Sequence, residues 1–256
     1  MHITGQTTEH FDVAFIAINT FFLFFAGLVA YLRREDKREG YPLVAERPDG
    51  TTSVLFPGSG LKKTYLLHDG SSLTLPREPD SRPLALKPLP GQAGGTPYAP
   101  TGNPLTDAVG PASYAQRKDH PDESWEGQPR IVPLRAAKDF FIDPRDPDVR
   151  GWDVVAADGN SAGTVAEAWI DRVEPQVYYY EVKIAGGSTV LVPARLARLD
   201  EDASKLVVES ITAAQFAGVP RIKNPDQVTL LEEDKITGYF AGGKLYATPD
   251  RQEPFV

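Results

Sequence analysis

The chain has 256 residues, a formal net charge of −8 and no cysteine. Without thiols, disulfides, thiolate metal sites and cysteine nucleophiles are excluded, which suits a reducing compartment. The acidic balance argues against a broad nucleic-acid surface, so no nucleic-acid partner is expected.

Residues 13–32 carry no charge, and the run breaks off into Arg33-Arg34-Glu35-Asp36-Lys37-Arg38. At about 1.5 Å of rise per residue, roughly twenty residues cross the hydrocarbon core of a bilayer. Phe15, Ile16, Phe21, Phe22, Leu23, Phe24, Phe25 and Leu28 make the segment apolar all round, as lipid contact demands. Asn19 and Thr20 are its clearly polar side chains; they bond locally to the backbone or face neighbouring membrane helices. Arg33, Arg34, Lys37 and Arg38 follow the span, whereas Glu9 and Asp12 precede it with no Lys or Arg. The positive-inside rule therefore puts the C-terminal body in the cytoplasm and residues 1–11 outside. The same four cations suit anionic lipid head groups, including cardiolipin. A cleaved signal peptide would need a basic n-region and a small-residue cleavage site, and both are missing.

Residues 34–129 are dense in Pro and Gly and read as an extended surface segment with short strands. Residues 63–67 and 72–75 look like two such strands, separated by turn residues at His68-Asp69-Gly70. Residues 87–104 cannot form a helix or a central strand. A free linker would be polar, but Tyr98, Leu105, Val109 and Tyr114 are interspersed, which favours an extended segment laid over a partner.

From residue 130 the pattern becomes regular. Strands are expected at 152–156, 163–170, 176–184, 188–192 and 205–210, an interval of roughly ten residues that points to a small antiparallel barrel or sandwich. Near the end, Asp226 is the expected cap of a helix through residues 229–240. Glu232, Glu233 and Asp234 suit its positive end, and Gly242-Gly243 are expected to stop it.

Several blocks then stand out in order: residues 31–43 at the exit from the span, Pro100-Thr-Gly-Asn-Pro104 with Val109-Gly-Pro-Ala-Ser-Tyr114, and Ile131-Val-Pro-Leu134. Gly163-Thr-Val165 with Trp169-Ile-Asp171 follows, then Val228-Thr-Leu-Leu-Glu-Glu-Asp-Lys235 with Tyr239-Phe-Ala-Gly-Gly-Lys-Leu-Tyr-Ala247. Together these blocks resemble the H subunit of purple-bacterial photosynthetic reaction centres. The resemblance implies a single transmembrane helix at residues 12–33 and a mainly β cytoplasmic domain at 130–256. That domain would be an antiparallel barrel of the PRC type with a short C-terminal helix, and residues 1–11 would be periplasmic, in a bacterial inner or intracytoplasmic membrane.

It also implies a non-catalytic role, capping the cytoplasmic face of the pigment-bearing L and M subunits. Bacteriochlorophyll, bacteriopheophytin, quinones, non-haem iron and carotenoid would then belong to those partners. A cytochrome subunit and a light-harvesting ring are further partners of the same complex. The alternative function is a membrane-tethered PRC-barrel adaptor for another cytoplasmic protein. A membrane-anchored enzyme is disfavoured, because no nucleophile, base and orienting group come together.

Quinone reduction consumes two electrons and two protons, so a capped site must receive protons through ionisable side chains and ordered water. Glu174 aligns with the family's interior glutamate on the proton path to the secondary quinone. Asp171 belongs to the barrel signature, with a hairpin-turn role at least as fitting as proton transfer. Where some relatives place an aspartate and two histidines at the surface, this chain has Ser124, Glu126 and Gln128. His120, Asp122, Glu123 and Glu126, with Asp119, are the candidate substitutes, against an ordinary solvated loop. Tyr178 stands where some relatives have an arginine, so charge compensation near Glu174 must differ. The Gly58–Thr64 stretch lacks the glycine directly before lysine that a phosphate loop needs. Asp143, Asp146 and Asp148 miss the Gly and terminal Glu of a calcium loop.

Overall fold

In the computed structural model, the Asp12 carboxylate accepts the N–H groups of Ala14 at 3.0 Å and Phe15 at 3.2 Å, opening helix α1, Val13–Asp36. The cap satisfies two of the donors that a helix start leaves unpaired. The structure describes residues 6–8, 11–38, 44–46, 52–54, 62–77, 82–89 and 97–252. Residues 39–43 of the span's exit, 58–61 of the glycine stretch and 90–96 of the Pro/Gly run lie outside the described residues. Contacts divide the chain into one unit of residues 1–83 and 88–97 and another of residues 84–87 and 98–256.

In the first unit, no residue of α1 is buried, and the helix is long and apolar enough to cross a membrane. Asn19 Nδ2 donates to Phe15 O at 2.8 Å, so this polar side chain is satisfied by its own helix. Lys63–Leu66 and Ser72–Leu75 form an antiparallel hairpin, within a residue of the expected limits.

The second unit is built on a seven-stranded sheet. Its strands are β1 (Ile131–Pro133), β2 (Asp153–Ala156), β3 (Ser161–Asp171), β4 (Gln176–Ile184), β5 (Thr189–Pro193), β6 (Arg198–Asp200) and β7 (Lys205–Val208). The order is β5-β4-β3-β2-β7-β6, with β1 also paired to β3. One pairing departs from the antiparallel expectation: β2 and β7 run parallel, from Asp153 opposite Lys205 to Ala156 opposite Val208. A parallel pair needs a long return path, and here strands β3 to β6 supply it. Trp169, Tyr179, Val154, Val182, Val192 and Leu206 fill the interior. The Trp169 indole N–H donates to Glu181 Oε2 at 2.9 Å, and Arg135 Nη1 holds that oxygen from the other side at 2.9 Å.

Helix α2, Leu230–Tyr246, begins and ends later than expected. Thr229, not Asp226, is its cap: Thr229 Oγ1 accepts the Glu232 N–H at 3.2 Å, and Glu232 Oε2 accepts the Thr229 N–H at 2.9 Å. This reciprocal pairing outcompetes an upstream aspartate because it satisfies two orphan donors at once. Gly242 and Gly243 do not stop the helix; they lie inside it and are buried. A Cβ on Gly242 would come within 2.5 Å of Ala112 Cβ, and one on Gly243 would strike Ser210 O. Close approach to neighbouring backbone, not helix termination, explains this glycine pair.

Candidate proton-transfer site

Strand β3 ends at Asp171 and β4 starts at Gln176, so Asp171 opens the connecting turn. Its side chain is buried, and Oδ1 accepts the N–H groups of Val173 at 2.8 Å and Glu174 at 3.1 Å. This is a carboxylate folding its own turn. Arg130, directly before β1, donates from Nε to both oxygens at 2.9 and 2.8 Å, and its Nη2 lies 2.6 Å from Oδ2. Burial pushes the Asp171 carboxyl up, but the Arg130 guanidinium and the two N–H groups outweigh it and leave Asp171 below the ordinary carboxylate range. The hydrogen bond to Asp171 raises Arg130 in turn. Asp171 is thus held as an anion.

The same guanidinium reaches two further acids: Glu174 Oε1 at 3.6 Å from Nη2, and Asp122 Oδ2 at 3.6 Å from Nη1. Three of the expected residues therefore converge on Arg130. They differ in exposure, since the Asp171 side chain is 1% exposed and that of Glu174 67%. Glu174 lies at the surface beside exposed Val173.

The remaining candidates are placed elsewhere. Glu123 pairs across a tight hairpin with Pro129, and Ser124 N–H donates to Gln128 O at 2.8 Å. Exposed Glu126 sits at the tip of that hairpin next to Trp125, which is 94% exposed. His120 is exposed, and its carbonyl accepts the Leu230 N–H at 3.0 Å, so its backbone is tied to the start of α2. Asp119 bonds Lys223 and accepts the Thr229 hydroxyl at 2.9 Å.

One acid was not singled out from the sequence. Glu233 is buried, with Tyr179 O–H donating to its Oε2 over a long 3.4 Å. Burial pushes its carboxyl up to about 7, with Asp122 and Asp234 adding to the rise and the Tyr179 hydroxyl and Arg117 opposing it. Burial also raises Tyr179, with Glu233 adding to it. The signal was in the spacing. Glu233, Ile236, Phe240 and Gly243 share one helical face, and all four are buried, whereas Glu232 is turned back into the cap. Two adjacent glutamates thereby take different jobs.

At the end of α1, Glu35 takes Arg38 at 3.0 and 2.7 Å and Lys63 at 2.8 Å. Lys37 and Arg38 are buried there, while Arg33 and Arg34 face outward. Among the described residues no cluster of acidic or histidine side chains could hold a metal ion. Asp143 and Asp148 instead bind the arginines two residues on, at 2.8 Å and 2.5 Å.

The fold is that of a PRC-barrel protein with an apolar N-terminal helix: the family model for the PRC-barrel domain matches residues 144–215. The model for the photosynthetic reaction centre, H-chain N-terminal region, matches residues 5–136, just over half of the chain. The chain belongs to the photosynthetic reaction centre H-chain family. Family membership makes it a structural, membrane-associated subunit that assembles with L and M, in a complex whose cofactors are carried by partner subunits.

Proposed function

We propose that this chain caps the cytoplasmic face of L and M and passes protons toward the secondary quinone without itself catalysing a reaction. In this reading α1 is a single span with its N-terminus in the periplasm, and the β body lies in the cytoplasm. Arg33 and Arg34 meet anionic head groups, cardiolipin among them, since Lys37 and Arg38 are buried within the chain. Chlorophyll-type pigments, quinones, carotenoid and non-haem iron sit on the partners. Neighbouring cytochrome or light-harvesting subunits would meet the same complex.

The observation that carries the proton role is the asymmetric acid cluster around Arg130. Asp171 is fixed as an anion and folds the turn, so it serves as electrostatic ballast. Glu174 shares the same guanidinium more loosely and keeps most of its side chain exposed. Covered by a partner subunit, it would stand at the interface within reach of one cation, placed to hand a proton across. Asp122, which reaches the same guanidinium, also adds to the rise of Glu233 and so links the cluster electrostatically to that buried acid.

Replacing Glu174→Gln tests this in the assembled complex by flash spectroscopy. Second-electron transfer and proton uptake should slow about tenfold or more, the scale of losing one proton relay, while primary charge separation stays unchanged. Normal uptake in the variant removes Glu174 from the path.

A further inference from the structure

We propose that the cleft beside the C-terminal end of α2 binds a phosphate group, either free or carried on a lipid head group. The cleft measures about 500 Å³, and its polar lining is Arg195, Arg198, Glu209, Ser210, Lys244 and Arg251. Four cations thus face one carboxylate, a local reversal on a chain whose net charge is −8. Such a concentration of positive charge in a concavity focuses the field on an incoming anion.

The four cations are not equivalent. Arg251 is already committed: Nη1 donates to Gly243 O at 3.0 Å and Ser210 O at 3.2 Å, and Nη2 to Glu209 O at 2.9 Å. Gly243 O belongs to the last turn of α2, whose negative dipole end would otherwise repel an anion. Arg251 therefore neutralises that end and braces the wall. The side chains of Arg195, Arg198 and Lys244 are exposed and make no hydrogen bond or ion pair among the described residues. Their donors remain available to a ligand.

A second observation is independent of the charges. Ser210 is 2% exposed, and its hydroxyl has no hydrogen-bond partner among the described residues. A buried hydroxyl left unpaired is unfavourable, so such a group calls for an acceptor or donor that the bare chain does not supply. An anion seated in the cleft brings several acceptor oxygens to that wall. Two guanidinium forks and an ammonium suit a tetrahedral phosphate, of charge about −1 as a diester and nearer −2 when free, better than a single carboxylate. No aromatic side chain lines the cleft, so nothing there offers a stacking platform for a nucleobase. The recognised group is the phosphate itself.

The assembled complex, purified in detergent, is titrated with inorganic pyrophosphate followed by 31P NMR, and separately with a short-chain phosphatidylglycerol below its micelle concentration. The same titrations are run on the Arg198→Gln/Lys244→Gln double variant and on Ser210→Ala. Arg198 and Lys244 are exposed, so the double variant should assemble with unchanged yield and pigment absorbance. Saturable binding that weakens at least tenfold in the double variant, and measurably in Ser210→Ala, supports the proposal. Pyrophosphate binding alone identifies a free phosphate as the ligand, phosphatidylglycerol binding alone a head group, and binding of both the bare phosphate group. Equal affinity of wild type and double variant for both probes, or no saturable binding of either, overturns it.

Discussion

Asp171 and Glu174 lie three residues apart and share one arginine, yet hydrogen bonding separates their roles. Asp171 accepts two backbone N–H groups and a bidentate guanidinium, which holds its proton off despite burial. Its folded-state pKa is depressed, so its contribution to stability is present above the unfolded carboxylate range and lost as pH falls through the depressed value. Asp171→Asn should therefore lower stability by about 2 kcal/mol at neutral pH, less than a fully buried pair because Arg130 is partly exposed. It should also flatten the acid limb of the unfolding curve, measured by denaturant titration of the full chain in detergent. Glu233 has the opposite sign. Its carboxyl is pushed up to about 7, so the folded chain holds a proton that the unfolded chain releases, and stability falls as pH rises from about 4.5 to 7. Glu233→Gln should remove that slope and gain up to roughly 3 kcal/mol at pH 8; an unchanged slope would show that Glu233 is not the group responsible. Of these acids, Glu174 was named from the family resemblance alone, and the turn role of Asp171 was legible from its place between two strands. Glu233 was hidden because acidic residues at a helix start are ordinarily read as dipole partners, and both it and Glu232 are buried; their partners separate them, since Glu232 accepts the Thr229 and Lys223 N–H groups while Glu233 faces the Tyr179 hydroxyl.

At the scale of elements, α2 shows where a local rule gave way to packing. Gly-Gly usually ends a helix because glycine adopts left-handed backbone freely. Here the pair continues the helix, since the backbones at Ala112 and Ser210 come too close for any side chain. Gly242→Ala should thus destabilise by about 1–3 kcal/mol, the usual scale of overpacking, even though alanine is the better helix former. Unfolding midpoints of the two full-length chains decide the sign. Longer strands were readable from alternation and turns: Gln176–Ile184 falls where expected, and β2, β3 and β5 lie within two residues of it. The three-residue strands Ile131–Pro133 and Arg198–Asp200 were not, because so short a run carries no period of its own. Nor does any sequence pattern state that β2 lies parallel to β7, a pairing fixed by which edges remain open once the β3–β5 meander has formed.

The whole molecule combines an unburied apolar helix with a β body that has its own core. The length and the uninterrupted apolar run announced the helix in the sequence. What the body assembles with was not written in its periodicity and came from family motifs. An exposed helix of this kind confines the chain to two dimensions, raising the effective concentration of its body over a membrane partner. The body must still dock through surface residues, and Trp125, 94% exposed at a hairpin tip, is of the type that dominates interface energies. These two contributions are separable. Removing residues 1–32 should leave a soluble body that folds, with unchanged β signature in circular dichroism, but recovers with pigmented L and M in much lower yield. Adding the soluble body in excess should restore part of the complex, because tethering supplies concentration and not the contact itself. Trp125→Ala in the intact chain should act the other way, leaving membrane attachment intact while weakening docking by about 2 kcal/mol. Excess truncated body carrying Trp125→Ala should then rescue about thirtyfold less effectively than the truncated body alone, as that free energy requires. Equal rescue by the two bodies would place the docking surface away from this hairpin.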